Sequence, residues 1–519
     1  MRRALEHPLA PALGCALGCV VYLLVRPATA DMAAHAYRTW LFRHEGLTVW
    51  NAQWYGGHHV LGYSLLFAPL AAAVGPAVVG VCSAVAASAL FTPLARAAAR
   101  SRTAGATAAW FFAAGVLSNV AIGRMPFLLG IALAVGAWAA GRARRRTLSG
   151  VLGLAAMLAS PVAGVFLMLG AAAKLIADWP GSWRTAAWLG LPTLAGGIGL
   201  YLLFPEGGTD RFTATAFWPM LVLSAAGLAL LAPGRRTLWA AGLLYLGVLV
   251  GAFVVPSPFG QNALRLGVLA GPSVLALAHR RRVPVLALAV VGAGLLYLQW
   301  LPAVRAVAEA HGDPSTRLAF QAEARDYLLK VAKPGERVEV PLTMNHWEAA
   351  DLAKAVPLAR GWERQLDQKS NPIFYDDEPL TAERYHDWLR ENAVRWVALP
   401  AARLDYSAHE EAELLERGAP FLELVYHSPR WRIWKVRGTD PPASNGATVL
   451  ATGPTWFMLD ASRPTVVRYR YTKYWSTSGA CVSRAPGGWT RVEPDSPGVV
   501  LVQARFGLEG GRRARGCQS

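Results

Sequence analysis

Residues 104–146 read AGATAAWFFAAGVLSNVAIGRMPFLLGIALAVGAWAAGRARRR. Two apolar runs, 104–120 and 126–140, meet at a short turn that carries one charge, Arg124. The second run ends in a block of arginines, Arg142 to Arg146. At about 1.5 Å per residue, helices of this length approach the ~30 Å hydrocarbon core of a bilayer. Short basic loops resist translocation, so the arginine block marks the inner end of the second helix and leaves the Arg124 turn outside.

The same alternation extends in both directions. Apolar runs rich in Ala, Leu, Val and Gly recur from Pro8 to Leu301. They predict a first span ending near Val25 and further spans at about 77–95, 148–160, 162–177, 185–204, 215–231, 237–255, 264–279 and 283–300. With 104–120 and 126–140 this makes about eleven. One parity puts Arg96, Arg100 and Arg102, the 142–146 block, Lys174 to Arg184, Arg235-Arg236 and Arg280 to Arg282 on the inside together. That parity requires Val60 to Val74, which is broken by Pro69 and Gly75-Pro76, to be a juxtamembrane or re-entrant helix. The Ser160-Pro161 pair joins two short spans that read as a hairpin in the outer leaflet. Ala28-Thr29-Ala30 also fits a signal-peptidase site, in which case Asp31 becomes the new N-terminus.

Composition agrees with lipid as the solvent: 54% of residues are hydrophobic and 16% charged, against about a quarter charged in soluble domains. The formal net charge of +18 sits mostly in the inter-span loops, and no nucleic-acid-binding module is present. We therefore expect a membrane and no nucleic acid as partner. Cys15, Cys19 and Cys82 lie in apolar runs, whereas Cys481 and Cys517 are placed to pair if their region is oxidised.

Beyond Leu301 the composition becomes that of a soluble region, and the last span leaves it outside. The patterning predicts a transmembrane domain over 1–301, with an external loop over 26–59 and a juxtamembrane helix over 60–74. An α/β domain over 302–440 and a β-rich domain over 441–519 follow. Helices are expected at Pro314–Val331, Ala382–Asn392 and Glu410–Arg417. Strands are expected at Arg337–Pro341, Val394–Leu399, Leu422–His427 and Trp431–Val436, then a β-sandwich from Thr448 to Phe506. No nucleophile elbow, phosphate loop or metal-ligand spacing occurs there.

Ionisable residues at the outer membrane ends are the candidates for chemistry, because burying them is costly. In the first external loop, Asp31, His35 and Arg38 share a helix face at i, i+4 and i+7. That face either carries a site or is a capping Asp followed by solvated residues. Trp54, Tyr55 and His58 follow, the aromatics suited to stacking on a sugar or to the interfacial belt. Later external loops offer Arg124, Glu206, Asp210, Asn262 and Arg265. Arg124 and Arg265 are cations where the topology disfavours them, and a guanidinium fork suits a phosphate or diphosphate. Snorkelling to lipid headgroups is the plainer account.

The order of parts resembles the GT-C class of polyprenyl-phosphate-dependent glycosyltransferases: a first helix, an acid opening an external loop, a juxtamembrane helix, many spans, an external C-terminal domain. The stretches V49-W-N-A-Q-W-Y-G-G-H and G62-Y-S-L-L-F-A-P-L, and the K473-Y-W-S…G-G-W pattern, are similar to an uncharacterised bacterial branch of that superfamily. The resemblance implies a polytopic α-helical GT-C-like protein of the bacterial inner membrane with an extracytoplasmic C-terminal region. It would move a sugar from a lipid-linked donor to a cell-envelope glycan or lipid acceptor. It gives Asp31 the part of general base; His35, on the same helix face, is the second catalytic candidate. Phosphate or substrate binding falls to the basic residues, Arg265 or Arg124 foremost. No cofactor is evident. A divalent cation fits some members, but where those carry paired acids this chain has Asp31-Met32. Two other readings stay open: a transporter or flippase of envelope lipid or polymer, and a non-catalytic envelope-binding membrane protein.

Overall fold

The computed structural model describes residues 5–279 and 283–506. The basic loop expected at Arg280–Arg282, and Cys517 of the expected Cys481–Cys517 pair, lie outside the described residues. The chain divides into two compact units, Met1–Met32 with Gly62–Ala308, and Ala33–Leu61 with Glu309–Ser519.

The first unit is helical. It contains α1 (Ala10–Val25), the first turn of α2 (Ala30–Glu45), α3 (Phe67–Val74), α4 (Pro76–Ala98), α5 (Arg102–Ile122), α6 (Met125–Arg142) and α7 (Arg146–Ala159). Then come α8 (Pro161–Ala177), α9 (Trp183–Leu203), α10 (Ala214–Leu230), α11 (Arg236–Val254), α12 (Leu264–Ala278) and most of α13 (Val285–Ala310). Every apolar run expected to span is helical. Six of these helices (α4, α5, α6, α9, α11 and α13) are long and apolar enough to cross a membrane on their own. The helices α7, α8 and α10 are shorter apolar helices. Large apolar side chains cover the outside: Leu24 is 81% exposed, Leu286 75% and Val254 68%. Such a surface is matched to lipid rather than to water.

Small residues let these helices close up. Their interior mixes alanines with Val, Leu, Ile and a few aromatics, including Ala84, Ala87, Val116, Phe112 and Ala163. Two of the basic loops meet beside the N-terminal residues. Arg96 donates to the carbonyl of Glu6 at 2.7 Å, Thr103 to its carboxylate at 2.8 Å, and Arg235 to Ala98 O at 2.6 Å. Arg100 is close enough to Arg235 to lower its pKa, after the larger effect of desolvation. These contacts bring the N-terminal residues, the 96–103 loop and Arg235 together.

The second unit is mixed. Its four-stranded sheet has the order β3-β4-β6-β5: β3 (Arg337–Glu339) runs parallel to β4 (Val394–Pro400), and β6 (Trp431–Val436) and β5 (Leu422–His427) are antiparallel. α14 (Leu318–Val331), α15 (Glu348–Asp351), α16 (Arg364–Ser370), α17 (Ala382–Glu391) and α18 (His409–Arg417) complete this part. The expected helix from Pro314 opens as a 3-10 turn, Pro314–Thr316, before α14 starts at Leu318. Two antiparallel sheets follow. One is β10 (Trp475–Thr477), β13 (Gly498–Ala504), β8 (Trp456–Ala461) and β7 (Thr448–Thr452); the other is β11 (Ala480–Arg484), β12 (Trp489–Pro494) and β9 (Thr465–Arg470). Alternate residues such as Phe457, Leu459, Val467, Tyr469, Val492 and Val502 are buried, the period-2 signature of packed sheets.

The segment Ala33–Leu61 is built into this unit. Its short ribbon pairs β1 (Trp50–Asn51) with β2 (His58–His59). Its backbone bonds to three distant places: Leu358 N–H to Gln53 O at 2.8 Å, Ala52 N–H to Pro454 O at 2.6 Å, and Arg470 N–H to Gly56 O at 2.8 Å. Trp54 is fully buried, stacks on Tyr37 at 4.6 Å and on His58 at 5.4 Å, and donates its indole N–H to Ala349 O at 2.9 Å. A buried Trp with a satisfied N–H is a packing anchor. Trp54→Ala is expected to destabilise the unit by about 3–5 kcal/mol, measured by denaturant unfolding of the full chain in detergent. A loss within about 0.5 kcal/mol, usual for a surface change, would mean that this side chain is not core.

A charge cluster lies inside the α/β part. Arg360 pairs with Asp367 at 2.7 Å and approaches Glu411 at 3.5 Å and Glu339 at 4.0 Å, and all four are at most 1% exposed. Tyr385 donates to Glu411 at 2.7 Å, and Tyr375 donates to Asp367. Three buried carboxyls face one guanidinium, so burial and mutual repulsion hold Glu339 and Glu411 above the usual carboxylate range against the pull of Arg360. Their folded pKa values are raised, so the stabilisation is complete below the unfolded value and fades as pH rises through the folded one. Nearby Asp405 is held low by His346 and Arg364 despite its burial, so it stays ionised over the neutral range. The melting temperature is therefore expected to fall between pH 6 and pH 8, by the equivalent of roughly 1–3 kcal/mol. Glu339→Gln should flatten that slope and raise the melting temperature at pH 8. A slope unchanged in the variant would rule the pair out as its source.

Candidate functional site

In the first unit the chain gathers charge at the ends of α1, α5 and α6 away from the basic loops. Thr29 donates to Ile122 O at 2.7 Å, tying the start of α2 to the last turn of α5. The next residue, Gly123, has φ +94°, and a Cβ there would lie 2.8 Å from Thr29 Oγ1 and 2.9 Å from Met32 Cγ. Only glycine combines that backbone with that close approach. The approach sets Arg124 beside Asp31: Arg124 Nε is 3.9 Å from Asp31 Oδ2, and each side chain is about one fifth exposed. Asn119, buried in the last turn of α5, accepts from the Arg124 guanidinium at 3.3 Å with its side chain and from the Arg124 backbone N–H at 3.0 Å.

A second loop supplies the rest. Gly260 opens a 3-10 turn, Gly260–Ala263, that leads into α12. At its φ of +34° a Cβ would collide with Asp210 O at 1.8 Å. Asn262 donates to Asp210 Oδ2 at 3.2 Å, and Gln261 to Arg211 O at 2.7 Å. Arg265, the second residue of α12, lies over the Phe127 ring at 5.4 Å, one turn into α6 from Arg124. Burial and the neighbouring Arg265 lower the pKa of Arg124 to about 10, while Asp31, Tyr63 and Asp210 act in the opposite sense. Arg124 remains charged at neutral pH. Asp31, Tyr63, Arg124, Asp210 and Arg265 thus form one electrostatic neighbourhood.

The helix dipoles sharpen its character. Asp31 lies in the first turn of α2, where a carboxylate is favoured. Arg124 caps α6 and Arg265 opens α12, positions where the positive helix end disfavours a cation. The two guanidiniums are close enough to repel, and the carboxylates of Asp31 and Asp210 lie in the same field.

The other residues singled out in the sequence lie elsewhere. Glu206 is partly buried in the loop before Asp210, its backbone N–H bonded to Phe204 O at 2.9 Å. His35, Arg38, Trp54, Tyr55 and His58 belong to the second unit and are buried there. Arg38 pairs with Glu363, His58 lies 3.9 Å from the same carboxylate, and Tyr55 donates to Glu363 O at 3.0 Å. Sequence reasoning passed over Tyr63 and Asn119. The signal for Asn119 was present as an amide inside an otherwise apolar run; Tyr63, in G62-Y-S-L, had none beyond its place before an apolar run. Among the described residues, no group of three or more His, Cys, Asp or Glu side chains is arranged to hold a metal ion.

No protein-family model matches the chain, and no curated protein matches it in sequence. Among solved structures it is similar to the arabinofuranosyltransferase AftD from Mycobacteria, at 14% identity and a TM-score of 0.48, over 96% of this chain and 60% of that one. The chain therefore spans about 60% of that protein's length.

Proposed function

We propose that this chain is a membrane glycosyltransferase that uses a polyprenyl-phosphate sugar, with Asp31 as general base and Arg124 and Arg265 as the phosphate-binding pair. The observation that carries the reading is the grouping of two mutually repelling guanidiniums with the carboxylates of Asp31 and Asp210 at the non-basic helix ends. The positive-inside bias makes that end the outer face, where a cell-envelope acceptor is met.

A sugar on a polyprenyl phosphate already has its leaving group. The acceptor O–H gives its proton to the Asp31 carboxylate as its oxygen bonds to the anomeric carbon. The bond from that carbon to phosphate oxygen breaks, and polyprenyl phosphate departs with the electron pair. Arg124 and Arg265 stabilise the charge growing on the phosphate. A single displacement inverts the anomeric centre. Asn119 and Asn262 act as positioning residues, holding Arg124 and Asp210.

The test is transfer by the purified full chain in proteoliposomes, with labelled polyprenyl-phosphate sugars of several kinds and an envelope extract as acceptor. Label is expected to leave the lipid for the acceptor in proportion to the amount of chain. Movement of intact lipid-linked sugar across the bilayer without transfer would replace this reading with the flippase one.

A further inference from the structure

A cavity of the first unit lies away from these residues. It is a groove of about 620 Å³ between α4, α6 and α7. Its walls are apolar or small, with Cys82 and Leu90 on α4, Leu133 and Gly136 on α6 and Leu152 on α7. Among the described residues that line it, Arg145, in the 142–146 block, is the charged one. The α6 lining runs from Leu129 to Ala140 and continues to Ala143 beyond the helix end, about 20 Å at 1.5 Å per residue. That length suits one extended hydrocarbon chain. Arg124 caps α6 at its other end, so the groove's cation is separated from the Asp31 neighbourhood by the length of that helix.

We infer that this groove holds one chain of an anionic phospholipid, whose phosphate-bearing headgroup is bound at Arg145. Charge complementarity selects the occupant. An apolar trough takes any acyl chain, but a guanidinium at its mouth, amid neighbouring arginines, favours a net-negative headgroup over a zwitterionic one. Gly136 keeps the trough open: a Cβ there would only touch Leu152 at 3.5 Å and Leu90 at 3.7 Å, so a larger side chain enters the groove without a backbone clash. The inference does not depend on the glycosyltransferase reading.

The probe is the full chain in nanodiscs of equal phosphatidylglycerol and phosphatidylcholine, released gently and weighed by native mass spectrometry. Retained lipid is expected to favour phosphatidylglycerol about fivefold, the contribution of one arginine at a membrane surface. Arg145→Gln should abolish the preference with no loss of melting temperature, since the residue is exposed. Gly136→Phe should reduce retention of both lipids. Equal retention of the two lipids by the wild type, or an undiminished preference in Arg145→Gln, would overturn the assignment. If Gly136→Phe fails to fold, Arg145→Gln decides alone.

Discussion

Asp31→Asn is expected to lower the rate of glycosyl transfer by about 10²–10⁴-fold while donor affinity stays nearly constant. The substitution keeps the size and hydrogen-bonding capacity of the side chain and removes its basicity. Asp31 sits in the first turn of α2 with Arg124 3.9 Å away. The amide of the variant does not accept the proton that the proposed mechanism hands to the carboxylate. The split between rate and affinity separates this role from a structural one. Were Asp31 only a helix-capping residue, Asn would cap nearly as well and activity would persist.

Arg124→Met is expected to cost about 10²–10³-fold in kcat/KM, the scale of losing one preorganised donor to a developing anion. Arg124→Lys should recover part of it, because an ammonium supplies the charge without the planar fork. Desolvation and Arg265 outweigh the pull of Asp31, Tyr63 and Asp210 on Arg124, so removing its charge relieves repulsion. The Met variant should consequently fold at least as well as the wild type and still lose activity. A fall in stability alongside activity would instead identify Arg124 as a structural partner of Asp31.

Much of the architecture is local and therefore legible. Leu422–His427 and Trp431–Val436 are strands as read, and Val394 opens β4 as expected, because alternation and turn residues act within a few positions. The apolar runs are helical for the same reason. What is not local was not legible. Arg38 and its partner Glu363 are 325 residues apart, and no periodicity near Trp54 tells a core aromatic from an interfacial one. The inclusion of Ala33–Leu61 in the C-terminal unit follows from such long-range contacts. The neighbourhood of Asp31, Arg124 and Arg265 was half visible. Cations on the side that disfavours them stand out in a sequence, whereas Tyr63 and Asn119 become meaningful only once Gly123 brings the α5–α6 turn against Thr29 and Met32.

The most direct measurement compares two ligands that differ only at the head: a polyprenyl phosphate and the corresponding uncharged polyprenol, titrated into the detergent-solubilised chain. Charge-assisted hydrogen bonds from a guanidinium pair predict a Kd at least about tenfold lower for the phosphate, with the difference lost in the Arg124→Met, Arg265→Met double variant. Equal affinity for the two lipids in the wild type would contradict the account.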